Sequence, residues 1–386
     1  MRRLRTASTR HILAFVAAVA VLAVGAAVAS AALGSASAPP AKPLDRAILD
    51  AARAPEVANL SARIHFTNDL LPSGSLPEGT SSPMITGADG RLWLSNDGKV
   101  RLELQSDAGD AQIVSDGSRF MVYDASANTA YTGTLSQRHE RAHKAERAPT
   151  LAGIDKGLAN LSRMWTLSGA QPGTTANRPS YTVRISPKDD GGLLGAAELA
   201  WDAARGVPLR AAVYAQGQAT PVLQLEATHI SYGTVAASRF GVAPPAGAKV
   251  TKISAPAAAA PGSAKHAEVT GKSAVAKALA FPLAAPDSLA GLPLKQVRLV
   301  SSPNGKGALS VYGQGLGAIL VFQSKGKENP LANLKLSRIA IGNDATGSEL
   351  ATALGTVLTF QRDGVSYVVA GSVPPLAAEN AARGLR

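Results

Sequence analysis

His139-Glu140-Arg141-Ala142-His143 is the stretch whose residue types and spacing most resemble a reaction centre. Two histidines one helical turn apart can bind zinc while the glutamate between them acts as general base. Such a helix needs an apolar face to hold its ligands, and here the neighbours are Gln137, Arg138, Arg141, Lys144, Glu146 and Arg147. No glutamate occurs between Glu146 and Glu198 to supply the acidic third ligand. The segment therefore reads as a solvated charge run. His11, His65, His229 and His266 show no ligand spacing. Gly191-Gly192 and the glycines from Gly313 to Gly317 do not open a long helix with a downstream Lys-Ser/Thr, which a phosphate loop requires. Ser115-Asp116-Gly117 and Ser231-Tyr232-Gly233 lack the glycine-flanked nucleophile elbow. The chain has no cysteine, which excludes disulfides, a thiol nucleophile, Cys-ligated zinc and a lipid-modified N-terminal cysteine. The expectation is a protein that is not an enzyme and carries no metal or other cofactor.

The elements around these residues must then supply the function. The net charge of +12 is unevenly placed. Arg2, Arg3, Arg5 and Arg10 precede Ile12–Leu33, which has no charge, so the N-terminus reads as an export or insertion signal. It is either a single N-terminal membrane span or a signal cut near Ala27–Ala31, with everything after Pro40 extracytoplasmic in both cases. Residues 11–248 carry 20 basic and 20 acidic side chains, a balance that argues against nucleic acid as a partner. Four units follow: a signal or anchor with spacer over 1–40, a main domain over 41–253, an Ala/Pro/Lys linker over 254–280, and a smaller α+β domain over 281–386.

In the main domain, Pro43–Ala58 reads as a helix. From Leu60 the apolar period changes to two, with Leu60, Ala62, Ile64 and Phe66 on one face. Asn96-Asp97-Gly98 turns a hairpin, and Ala111–Ser115, Arg119–Asp124 and Thr129–Leu135 continue the series. Val122 and Tyr123 point to opposite faces. A second helix is expected over Thr150–Trp165, and strands return from Ser180 to Gly233. In the smaller domain Ser348–Gly355 reads as a helix, Asp363-Gly364 as a hairpin turn, and Pro375–Leu385 as a closing helix. A long antiparallel sheet with one apolar face and two helices has two outcomes. The helices cover the face as a closed core, or they leave an apolar cavity beneath.

The segments "GRLWLSNDGKVRLELQS", "DAQIVSDGSRFMVYDASANTAYTG", "SYTVRISPKDDGGLLGAAELAWDAARGVPLRAAVYAQG" and "PVLQLEATHISYG" resemble the LolA-like lipoprotein-carrier superfamily, including the related periplasmic sigma-E regulators. The likeness covers about residues 44–253. It implies an α+β fold, a half-open antiparallel β-barrel under a helical lid, whose apolar face holds acyl chains. The closing segment "TVLTFQRDGVSYVVAGSVPPLAAENAARGL" resembles a C-terminal domain of unknown function in exported bacterial proteins. The resulting expectation is an extracytoplasmic carrier or binder of lipid or lipoprotein acyl chains in a bacterial cell envelope. The alternative is an envelope sensor that acts on a membrane protein partner. Trp93, Leu102, Leu104, Tyr123, Trp165, Val183, Ile185, Trp201 and Leu225 are the expected lining.

Overall fold

The computed structural model describes residues 37–385 apart from 72–81, 108, 136–149, 189–191, 254–268, 303–304, 327–330, 332–333, 335 and 343–344. The His139–His143 segment and the apolar stretch Ile12–Leu33 both lie outside the described residues. Among the described residues, no helix is long and apolar enough to cross a membrane.

The chain enters through helix α1 (Leu44–Arg53), which stops before the expected Ala58 because Ala54 precedes Pro55. A residue before proline is forced out of the helical region, and Ala54 is extended at ψ 150°. Six antiparallel strands follow as a meander: β1 (Asn59–Asn68), β2 (Ala88–Ser95), β3 (Val100–Ser106), β4 (Gly109–Ser115), β5 (Arg119–Asp124) and β6 (Thr129–Thr134). A one-turn helix α2 (Pro83–Thr86) lies against β1, β3 and β4. Helix α3 (Leu151–Leu161) leads into β7 (Trp165–Leu167), β8 (Gln171–Thr175), β9 (Arg178–Pro187), β10 (Leu194–Asp202), β11 (Pro208–Ala215) and β12 (Leu223–Tyr232). A 3-10 turn (Ala237–Phe240) then leads to β13 (Lys249–Lys252), which pairs parallel with β6.

The sheet order is β13-β6-β5-β4-β3-β2-β1-β12-β11-β10-β9-β7, with β8 paired to β9 off this path. β13 and β7 do not pair with each other, so the sheet is an open half-barrel and not a closed one. β1 joins the two wings because it pairs with β2 on one side and β12 on the other.

A second, eight-stranded sheet follows, formed by β14 (Ser288–Leu289), β15 (Leu292–Ser302), β16 (Gly305–Tyr312), β17 (Ile319–Lys325), β18 (Ser337–Ile341), β19 (Ala345–Thr352), β20 (Gly355–Arg362) and β21 (Val365–Gly371). Helix α4 (Lys272–Ala278) lies against β15, within the stretch expected to be linker. Helix α5 (Pro375–Gly384) covers a core that includes Leu289, Leu358, Phe360 and Val369. The expected helix over Ser348–Gly355 is instead strand β19 and its turn. β18 and β20 flank it, and a Cβ on Gly347 would meet the Thr359 carbonyl at 2.9 Å. Pairing on both edges outweighs the helix preference of Glu-Leu-Ala-Thr-Ala-Leu. The sheets meet where Leu193 N donates to Ser372 O at 3.1 Å and to Ser372 Oγ at 3.0 Å.

Candidate functional site

Strand register carries one apolar face across the whole long sheet. Ala62 faces Leu92, Leu92 faces Leu102, Leu102 faces Ile113, Ile113 faces Val122, and Val122 faces Tyr131. On the other side Phe66 faces Leu225, Leu225 faces Ala211, Ala211 faces Leu199, and Leu199 faces Val183. Neither row contains a charged side chain. Helix α1 lies on this surface, which we term the helix face; the opposite surface is the back face.

The two wings treat this face differently. On the β9–β10 wing, Ala47 of α1 packs against Tyr181, Val183 and Trp201, with Leu44, Ala51, Ile185 and Leu199 around them. Near β1, Leu60, Ala62, Ile64, Leu104, Leu209 and Ile230 form a second buried cluster. On the β4–β6 wing, Ile113, Phe120 and Val122 are half-buried, and Tyr131 is 38% exposed. This wing buries its back face instead. Val114, Met121 and Ala130 pack there with Tyr123, Val242 and Ala248, under the segment that follows β12. Leu225 is 39% exposed, beside half-buried Phe66, Val213 and Leu223. Helix α3 packs on α1 but has no fully buried side chain.

Seven of the nine expected lining residues share the helix face: Leu102, Leu104, Trp165, Val183, Ile185, Trp201 and Leu225. Val183 and Trp201 lie beneath α1, and Leu104 is inside the closed cluster near β1. Trp93 and Tyr123 lie on the opposite face from the other seven. Trp93 is opposite Ser61 and Arg101, and Tyr123 is opposite Gln112 and Ala130, all on the back face. Because side chains alternate strictly along a strand, Leu92 and Val122 take the helix face and their neighbours cannot. Trp93 lies under the Arg239 guanidinium, 5.2 Å from its ring centroid, and Tyr123 donates to Asn128 Oδ1 at 3.1 Å. Sequence reasoning missed Ile113, Phe120, Val122 and Tyr131. Extending the alternation outward from Leu102 through each turn finds them.

The lower end of the face, where β1 begins and β12 ends, is tied by a polar knot. Asp202 is buried, and its Oδ1 accepts from Ala204 N at 2.8 Å and Arg205 N at 3.0 Å. Its Oδ2 accepts from the Tyr232 hydroxyl at 2.8 Å. Burial, and then the Asp202 carboxylate, push the Tyr232 hydroxyl far above the ordinary tyrosine value. Arg178 and Arg205 lie 5.1 and 5.3 Å from the centroid of the same ring. The turn from Asp202 ends at Gly206, whose φ is +66°, and a Cβ there would stand 2.4 Å from the Ala51 carbonyl of α1. Only glycine allows this approach, so the turn is the seat of α1.

The back face of the β9–β12 wing is polar and fully engaged. Glu198 Oε1 accepts from Arg184 at 2.7 Å, and Oε2 accepts from Arg210 and from the Tyr214 hydroxyl, both at 2.7 Å. Desolvation raises the Glu198 pKa, but these three donors outweigh it and hold the carboxyl below its ordinary value. Arg210 Nε also donates to Gln224 at 2.9 Å. Among the described residues no group of His, Cys, Asp and Glu is placed to hold a metal ion.

No family model and no curated protein matches this chain. Solved structures similar to it include a chain of the Pseudomonas aeruginosa MucA/MucB complex, at 17% identity and a TM-score of 0.40 over 87% of this chain and 95% of that one. MucB in complex with MucA(peri) is similar at 17% identity and a TM-score of 0.39, over 88% of this chain and 96% of that one. An uncharacterized conserved protein from Thermus thermophilus is similar at 11% identity and a TM-score of 0.34, over 54% of this chain and 98% of that one.

Proposed function

We propose that the chain is a non-catalytic, extracytoplasmic binder of lipid or lipoprotein acyl chains in a bacterial cell envelope, and that the helix face of the long sheet is its binding surface. One observation carries the reading: an uncharged apolar row runs to the edge of the β4–β6 wing, where Ile113, Phe120 and Val122 are half-buried and Tyr131 is exposed. Each CH₂ buried there contributes about 0.8 kcal/mol, so a long acyl chain is worth several kcal/mol before ordering costs. In this reading α3, seated on α1 without a buried anchor, is the movable lid.

Native mass spectrometry of gently purified protein, with lipid extraction, tests the reading. We expect a bound acyl lipid in the wild type and its loss in Val122→Asp, with the melting temperature changed little. Protein that is lipid-free when purified and takes up no acyl lipid on addition would defeat it.

A further inference from the structure

The back face of β1 and β2, at the middle of the long sheet, carries cations that face each other. Arg63 of β1 stands directly opposite Arg91 of β2, and His229 of β12 stands opposite Arg63 on its other side. All three are exposed, and none makes a side-chain hydrogen bond or ion pair among the described residues. Directly opposed side chains on one sheet face are rooted about 5 Å apart, and like charges there destabilise the pairing. The nearby acids do not relieve the pair. Glu103, which faces Arg91 from β3, is held by Arg101 Nε at 2.6 Å. Asp89 Oδ1 is 2.8 Å from His65 Nδ1, and Glu226 Oε2 accepts from Gln224 Nε2 at 3.0 Å. Arg239 adds a further cation on the same face. Its guanidinium lies 5.2 Å from the Trp93 ring centroid, and its carbonyl accepts from Arg101 Nη1 at 3.1 Å. The pairing of β1 with β12 is irregular just after Arg63, which leaves both Thr228 and His229 exposed there.

We propose that Arg63 and Arg91 form an oxyanion clamp on the back face, which takes a phosphate group, with His229 and Arg239 beside it. Both arginines are exposed, so packing does not demand either of them, and their opposition costs stability until an anion is bound. Two guanidiniums rooted this close can each turn a pair of N–H groups onto one phosphate, and the bound anion converts their repulsion into attraction. The Asp89 side chain, 82% exposed two residues from Arg91, keeps the positive region narrow. That suits a single phosphate and not a plane of anionic headgroups. The clamp lies on the opposite face from the acyl-binding surface and does not rest on that reading. Phosphate could come as the free ion or as the headgroup of one lipid, and the two sources are separable.

Isothermal titration and thermal melting of the full chain test this, with inorganic phosphate and monomeric dihexanoyl phosphatidic acid as probes and dihexanoyl phosphatidylcholine as the headgroup control. We expect phosphate to raise the melting temperature more than chloride at equal ionic strength, and its affinity to fall as salt rises. The double variant Arg63→Gln/Arg91→Gln should lose about tenfold in affinity for the phosphate-bearing probes. Arg63→Glu sets opposite charges face to face with Arg91, so it should melt higher than the wild type and lose the response to phosphate. This variant keeps the test sound, because loss of binding with a gain in stability is not misfolding. Inorganic phosphate binding as tightly as the phosphatidic acid supports the clamp with the free ion as its ligand. Tighter binding of the phosphatidic acid, with that advantage lost in the double Gln variant, supports it with a lipid headgroup. Failure of both phosphate probes to bind, equal binding by the double Gln variant, or a lower melting temperature for Arg63→Glu overturns the clamp and leaves the acyl-binding reading untouched.

Discussion

The two wings of the long sheet are built from the same alternating pattern, yet they bury opposite faces. On the β9–β10 wing the helix face is sealed by α1 through Ala47, Tyr181, Val183 and Trp201, and the back face carries the Glu198–Arg184–Arg210–Tyr214 network. On the β4–β6 wing the back face is sealed by the chain around Val242 and Ala248, and the helix face keeps Ile113, Phe120 and Val122 half-buried and Tyr131 exposed. The central rows of both wings are apolar on the helix face, so the difference does not come from those rows. It comes from what the preceding and following segments can reach. Helix α1 is fixed by Gly206 to the β10–β11 turn, and its ten residues do not extend to β5. An incomplete covering of one continuous apolar face separates the wing sealed as scaffold from the wing proposed as the binding surface.

The sharpest way to break this comparison is to truncate matched positions. Trp201→Ala, in the sealed wing, should cost about 3–5 kcal/mol in denaturant unfolding, and Ile113→Ala, in the open wing, less than about 1 kcal/mol. Equal losses would mean that the open wing is covered after all. A somewhat smaller effect tests the seat of α1. Gly206→Val places a branched side chain at φ +66° and against the Ala51 carbonyl, and should cost about 2–3 kcal/mol. Hydrogen exchange should then show α1 exposed and the β4–β6 wing as protected as in the wild type.

The smallest effect concerns the turn that sets the register of β4 and β5. Asp116 accepts from Ser118 N at 2.9 Å and Arg119 N at 2.7 Å through Oδ1, and from Arg119 Nη2 at 2.8 Å through Oδ2. Desolvation pushes its carboxyl up, but these donors win and hold it well below the ordinary 3.8. A depressed folded-state value means that the stabilisation is present above pH 3.8 and is lost as pH falls through the lower folded value. Asp116→Asn should therefore cost about 1 kcal/mol at neutral pH, and the gap to the wild type should close in strong acid. A gap that persists in acid would assign the loss to the turn's shape and not to its charge.

Much of this was legible in the sequence where the signal is local. The turns at Asp97-Gly98 and Asp116-Gly117 and the strand Arg119–Asp124 stand where their residue chemistry puts them. The wing that stays open was not legible, because it depends on β13, a four-residue strand between Pro245 and an Ala/Pro-rich stretch that pairs parallel with distant β6. Periodicity assigns alternate residues to alternate faces but does not say which face a distant segment will cover. That is why Tyr123 was placed in the lining and its neighbour Val122 was not. The Arg178–Tyr232–Arg205 cluster joins two strand ends and the β10–β11 turn and leaves no spacing to read.

Photo-crosslinking tests directly whether the helix face of the β4–β6 wing holds acyl chains. The native protein is loaded with a diazirine-bearing fatty acid, irradiated and digested, and the adducts are mapped by mass spectrometry. We expect adducts at Ile113, Phe120, Val122 and Tyr131 and near Leu225, with Met121 and Tyr123 unlabelled. Adducts on Met121 and Tyr123 at the level of Val122, or none above those in unfolded protein, would contradict it.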